Sequence, residues 1–245
     1  MLARNVALGV VCSALATIFV SPGFAGDNAW TGPYIGASVG SVFGSSLYMN
    51  DPTFSPYQQW GAAVGLSGGY NDAFDQFVVG IRGAVLLGGE GRSESSTETS
   101  GGVYGGGPST VMTFHTASEF TKNWSLGTDA LIGYPLGDYM PYVFVGGTVA
   151  NYTIDDSTDV TYSGGSGGPI KITPVSPTHI HQKSDAIHFG VSAGVGVEHK
   201  LSAKLSGFIE AQHTQYGESA YWLSGANLYF AREATTVRVG LNYHF

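Results

Sequence analysis

Residues 187–198, IHFGVSAGVGVE, decide the fold. Ile187, Phe189, Val191, Ala193, Val195 and Val197 fall on one side of an extended chain without a break, and His188, Gly190, Ser192, Gly194, Gly196 and Glu198 fall on the other. A period of two is the mark of a β-strand, whose successive side chains point to opposite faces. An apolar face backed by glycine, serine and charge leaves two options. In a lipocalin-like soluble barrel the apolar side points inward around a ligand, and nothing requires small residues outside. In a narrow membrane barrel the apolar side meets lipid, and the small residues fill a lumen where space is short. Only the second accounts for both faces.

Outward from this stretch the same alternation recurs. It predicts strands at about 33–43, 58–71, 76–88, 119–134, 140–154, 187–198, 204–216 and 233–245. Trp60, Ala62, Val64 and Leu66 oppose Gly61, Ala63, Gly65 and Ser67, and Val237, Val239, Leu241, Tyr243 and Phe245 oppose Arg238, Gly240, Asn242 and His244. Two strands are less clean: Tyr142 and Phe144 share a face with Gly146 and Thr148, and Phe208 interrupts the small-residue face of 204–216. Each strand has the ten or so residues that a tilted membrane crossing needs. The expected fold is all-β, an eight-stranded antiparallel up-and-down transmembrane β-barrel. Trp60, Tyr70, Phe77, Trp124, Tyr134, Tyr243 and Phe245 fall near strand ends, as interfacial aromatics should.

Composition agrees. The 245 residues are 43% hydrophobic but only 11% charged, with 37 glycines and 13% aromatics. Soluble domains carry roughly a quarter charged residues, and a helical membrane protein would show apolar runs of about 18 or more. Residues 1–25 read as a secretory signal peptide: Arg4, an apolar stretch over 6–20, then Gly23-Phe24-Ala25 as the small-residue cleavage site. Residues 26–245 would then form the barrel domain. Cys12, the only cysteine, lies within the leader, so the mature chain has no disulfide and no cysteine-based site. Without Arg4, nine basic residues stand against 18 acidic, which argues against a nucleic-acid partner.

Connection lengths set the orientation, because short turns face the periplasm and long ones the outside. The long connections are 44–57, 89–118, 155–184 and 217–231; the second and third are rich in glycine, serine and threonine and are expected to be mobile loops. Five charged residues project inward: Arg82, Asp129, Glu198, Glu210 and Arg238. Counted up from the periplasmic end, Arg82 and Asp129 sit at similar heights on neighbouring strands, as do Glu210 and Arg238. Both pairs are expected to form salt bridges near mid-membrane, closing the lumen of so narrow a barrel. Solvated, unpaired lumen charges would instead suit a narrow porin.

The segments WTGPYIGASVG (30–40), GLSGGYN (65–71), GVSAGVGVEHKLSAKLSGFIEAQHTQYG (190–217) and VRVGLNYHF (237–245) resemble the small outer-membrane β-barrel family. That family includes the OmpA transmembrane domain, the opacity-type adhesins and the α-proteobacterial major surface antigens. The resemblance implies a Gram-negative outer-membrane location. It also implies partners in outer-membrane lipid and lipopolysaccharide, the assembly machinery, and host or surface ligands met through the loops. Tyr243 and the terminal Phe245 look like the assembly signal of such barrels. Family members are structural, adhesive, haem-binding or weakly pore-forming, and these roles reside in variable loops.

The resemblance also raises enzymatic alternatives. A lipid A deacylase would want a serine two after His213, where Gln215 stands, and the ten-strand proteases need paired acid–histidine sites for which this chain has no room. No enzyme is expected. His179 and His181, two apart, would project from the same side and are weak candidates for holding a metal or touching haem iron with a third ligand. The alternative is that 178–187 simply extends the strand above the membrane. Asp155, Asp156 and Asp159 lack the spacing of a calcium loop. No cofactor is expected. The sequence points to a structural, surface-exposed barrel with a plugged lumen; a narrow porin or a haem- or ligand-binding surface protein are the alternatives.

Overall fold

A computed structural model describes residues 30–48, 57–102, 110–164, 178–223 and 226–245. The expected leader, with Cys12 and the Ala25 cleavage site, lies outside them. The strands are β1 (Gly32–Tyr48), β2 (Tyr57–Phe74), β3 (Phe77–Gly88), β4 (Gly91–Gly102), β5 (Thr110–Gly133), β6 (Tyr139–Gly164), β7 (Thr178–Lys200), β8 (Leu205–Leu223) and β9 (Ala226–His244). Neighbours pair antiparallel in the order β1-β9-β8-β7-β6-β5-β3-β2, and β1 pairs with β2 to close the ring. These are the eight staves expected. The ninth strand, β4, continues the line of β3 after a break at Gly89-Glu90, running on along β5 from Gly91↔Thr121 to Gly102↔Thr110.

The fold is inside-out relative to a soluble domain. Leu66, Phe189 and Val191 are two-thirds or more exposed on the outer wall, whereas Arg82, Asp129, Glu210 and Arg238 are buried in the lumen. Lipid is the solvent that makes this stable: exposed apolar surface costs nothing there, and closing the ring leaves the eight staves without a free edge at the level of the apolar wall. The short turns form the periplasmic end. The first has Asp75 in the left-handed region (φ 57°), a conformation that Asp tolerates in tight turns. At the second, Gly137 takes φ 67° while Leu136 and Tyr139 exchange backbone hydrogen bonds.

The aromatics that blurred the alternation have a structural cause. Tyr142 faces Gly196, Phe144 faces Gly194 and Phe208 faces Gly240 across neighbouring strands. All three rings are buried inside, over glycines where a methyl group would collide with the ring. Small and large residues alternate across strands, so the lumen fills without bulging the wall.

The loop expectation needs correcting. Apart from the break at Gly89-Glu90, the described parts of 89–118, 155–184 and 217–231 are strand, with β5, β6, β7, β8 and β9 all continuing beyond the apolar alternation. Threonine and serine suit a pleated ladder in water as well as apolar residues do in lipid, so loss of apolar alternation marks the end of the membrane, not the end of the strand. Above Gly190↔Tyr216, β7 and β8 part company. There Ser219 Oγ donates to the Ile187 carbonyl at 2.8 Å, and His188 Nδ1 lies 3.1 Å from the Gly217 carbonyl. Beyond this seam β4, β5, β6 and β7 form one outer sheet, while β8 continues against β9.

Candidate functional site: the charged lumen

The barrel's interior holds its buried charge, and the register explains how. Arg82 of β3 stands directly opposite Asp129 of β5, and Glu210 of β8 directly opposite Arg238 of β9. Arg82 Nε and Nη2 donate to Asp129 Oδ2 at 3.1 and 2.9 Å. Arg238 Nε donates to Glu210 Oε1. The two pairs are also joined: Arg82 Nη1 donates to Glu210 Oε2 at 2.6 Å, across the lumen between strands that are not neighbours. The Tyr142 hydroxyl donates to the same oxygen at 2.8 Å, and the Arg82 guanidinium lies 4.6 Å from the Phe144 ring centroid. The result is one chain, Asp129–Arg82–Glu210–Arg238, with two positive and two negative charges.

A charge taken out of water costs several kcal/mol unless it is paired and its remaining donors and acceptors are met. Here planar guanidinium forks meet carboxylates, the strongest kind of protein hydrogen bond. Glu210 sits at the centre, taking two arginines and a tyrosine.

Glu198 lies apart from this chain, nearer the periplasmic end. Its Oε1 accepts from Ser206 Oγ and from Asn242 Nδ2 at 3.0 Å, and lies 3.1 Å from His244 Nε2. Below it Trp30, only 2% exposed, packs with Val78 and Met140 while Lys200 Nζ lies 4.3 Å from its ring centroid. An aromatic just before the first strand thus fills the periplasmic mouth.

A third buried layer, which alternation did not reveal, lies towards the outer end. Glu90 and Lys122 are both buried, with Lys122 Nζ 3.8 Å from Glu90 Oε2 and the Tyr152 hydroxyl donating to Glu90 Oε1 at 2.5 Å. The Arg232 guanidinium lies 3.4 Å from the Phe120 centroid and 4.1 Å from that of Tyr152. Two irregularities build this layer. Gly88 and Gly89 have φ of 81° and 146°, breaking the β3 line just before Glu90, and a bulge at Asn123 shifts the register beside Lys122. The paired glycines before Glu90 are the one sequence signal that could have exposed it.

The remaining candidates lie on the outside. His179 Nδ1 is 2.5 Å from Asp159 Oδ1 and His181 Nδ1 is 3.4 Å from Asp155 Oδ1, so the two imidazoles face different carboxylates on the β6–β7 extension. Among the described residues, no three His, Cys, Asp or Glu side chains gather to hold a metal. His213 is exposed on the outer wall, its Nδ1 3.0 Å from Thr235 Oγ1. Tyr243 and Phe245 form an edge-to-face pair with centroids 5.3 Å apart at the periplasmic rim.

An eight-stave ring with an apolar outer wall and buried charge inside defines a membrane-spanning β-barrel. The chain belongs to the outer membrane protein beta-barrel domain family, matched over residues 10–245. It is similar to the 25 kDa outer-membrane immunogenic protein of Brucella abortus, 23% identical over 230 residues that cover 94% of this chain and 84% of that protein. Similar solved structures include Neisserial surface protein A (11% identity, TM-score 0.41, covering 88% of this chain and 98% of that one). Another is the outer membrane protease OmpT from Escherichia coli (11% identity, TM-score 0.42, covering 92% and 99%). The protein resides in the outer membrane of a Gram-negative cell.

Proposed function

We propose that this is a structural, surface-exposed outer-membrane protein, non-enzymatic, whose lumen is plugged and whose extended outer strands make its surface contacts. The observation that carries this reading is the unbroken chain Asp129–Arg82–Glu210–Arg238 across the lumen. A water path needs solvated, separated charges. Here guanidinium and carboxylate groups bond each other from opposite walls, with packed aromatic layers on either side. The outer ends of β4–β7 support the second half of the reading: they carry threonine, serine, histidine and aspartate into water on a hydrogen-bonded frame that can present side chains to a partner.

The plug is tested by a double-mutant cycle on barrel unfolding in lipid vesicles. Arg238→Leu leaves Glu210 with an uncompensated share of buried charge and should cost about 3–5 kcal/mol. Adding Glu210→Gln removes that charge and leaves Asp129–Arg82 as a balanced pair, so the double variant should recover part of the loss. Additive losses would contradict the network.

A further inference from the structure

We propose that a chamber inside the barrel, between the four-residue charged chain and the Glu90–Lys122 layer, holds one small monovalent anion of the halide class. Asp129 and Arg238 line it from the chain, Lys122 and Tyr216 from the outer layer, and Ser125, Gly127 and Thr148 form one wall. Thr148 of β6 stands opposite Gly127 of β5, which has no side chain to fill the gap. The cavity, about 10 Å³, has room for a single small particle. Ser125 and Thr148 are 1% and 7% exposed, and neither hydroxyl has a hydrogen-bond partner. Dry cavities in proteins are apolar ones; a polar cavity with orphaned donors is occupied.

Charge decides what occupies it. The chain Asp129–Arg82–Glu210–Arg238 is neutral, and Asp129, the one carboxylate on the chamber wall, is already matched by two donors from Arg82. In the outer layer, two buried cations, Lys122 and Arg232, share one buried carboxylate, Glu90, among the described residues. That layer carries one positive charge in excess, in a narrow tube where an unmatched charge is costly. Lys122 Nζ is 3.8 Å from Glu90 Oε2, an ion pair longer than a hydrogen bond. The same lysine lines the chamber, so its ammonium lies between Glu90 and the cavity. A halide accepts from the ammonium and from the two hydroxyls, and it supplies the missing negative charge. A water molecule meets the hydroxyls and leaves the excess. The inference rests on the closed lumen, because in an open pore the chamber would be continuous with bulk water.

The test has two arms on the folded mature barrel. Crystals of barrel refolded and grown in sodium bromide, measured at the bromine absorption edge, should show one anomalous peak beside Ser125, Thr148 and Lys122. Urea unfolding is then compared in chloride and in gluconate, too large for the cavity, at equal ionic strength and pH. Raising chloride from its dissociation constant to ten times that value should raise the folding constant about five-fold, as for one bound ion. Lys122→Met, which leaves Glu90 with Arg232 as counter-charge, should abolish that dependence, and Ser125→Ala should weaken it. Retarded migration of the unheated barrel on a gel verifies that each variant folds. A chamber that gives no bromide peak, a parent equally stable in chloride and gluconate, or a chloride dependence unchanged in both variants would overturn the proposal. A conducting parent would overturn the closed lumen and the anion site together; a non-conducting parent without the bromide peak would overturn the anion site alone.

Discussion

Glu210 is the residue on which the lumen depends most. It takes Arg82, Arg238 and Tyr142, whereas Asp129 takes one arginine and a 3.5 Å contact from Ser192. Removing Glu210 therefore leaves two guanidiniums short of charge; removing Asp129 leaves one, which still holds Glu210. Urea unfolding in vesicles should find Glu210→Gln more destabilising than Asp129→Asn by about 1.5–3 kcal/mol, the worth of one further charged hydrogen bond. Equal losses would mean that the two carboxylates are interchangeable. At the other end of the same strand system, Phe245 packs on Tyr243 outside the lumen and takes no part in the buried ion pairs. We expect Phe245→Ala to act on assembly: purified and refolded in vitro, the variant should unfold within about 0.5 kcal/mol of the parent, as surface changes do, yet its outer-membrane level in cells should fall. Normal cellular levels would remove the assembly role.

At the scale of the strand, alternation made most of the fold legible. The eight staves, the lipid-facing side of 187–198, and the heights of Arg82, Asp129, Glu210 and Arg238 all follow from a period of two. What alternation cannot show is which side chains meet across a closed ring, because height and facing do not specify the opposite wall. The Arg82–Glu210 contact was illegible for that reason. Glu90 and Lys122 were illegible for another: a glycine break and a bulge each reset the facing, so counting residues from the neighbouring strand no longer tells which side is inside. The outer extensions of β5 and β6 were hidden because water does not impose the apolar face that lipid does, whereas the reading of 178–187 as a strand continued above the membrane is what β7 shows. One comparison isolates the principle. A Cβ on Gly196 would meet the Tyr142 ring, whereas a Cβ on Gly147, on the adjacent strand but the opposite face, meets nothing within 4 Å. Gly196→Val should cost about 1–3 kcal/mol through overpacking, and Gly147→Val should stay within about 0.5 kcal/mol. Equal effects on the urea midpoint would show that lumen packing is looser than the glycine contacts imply.

For the molecule as a whole, three buried polar layers stack along one narrow tube: Glu198 with His244 near the periplasm, the four-residue chain at mid-height, and Glu90 with Lys122 at the outer end. A barrel of about eight strands has room for little beyond side chains, and this one spends that room on ion pairs and rings. Single-channel recording of the purified barrel in a planar bilayer tests this claim most directly. The parent should give no sustained conductance steps, while Arg238→Leu should open them intermittently and Arg238→Leu with Glu210→Gln should suppress them again. Steady open-channel currents from the parent, unaltered in Arg238→Leu, would show that water and ions pass the charged layers and that the barrel is a pore.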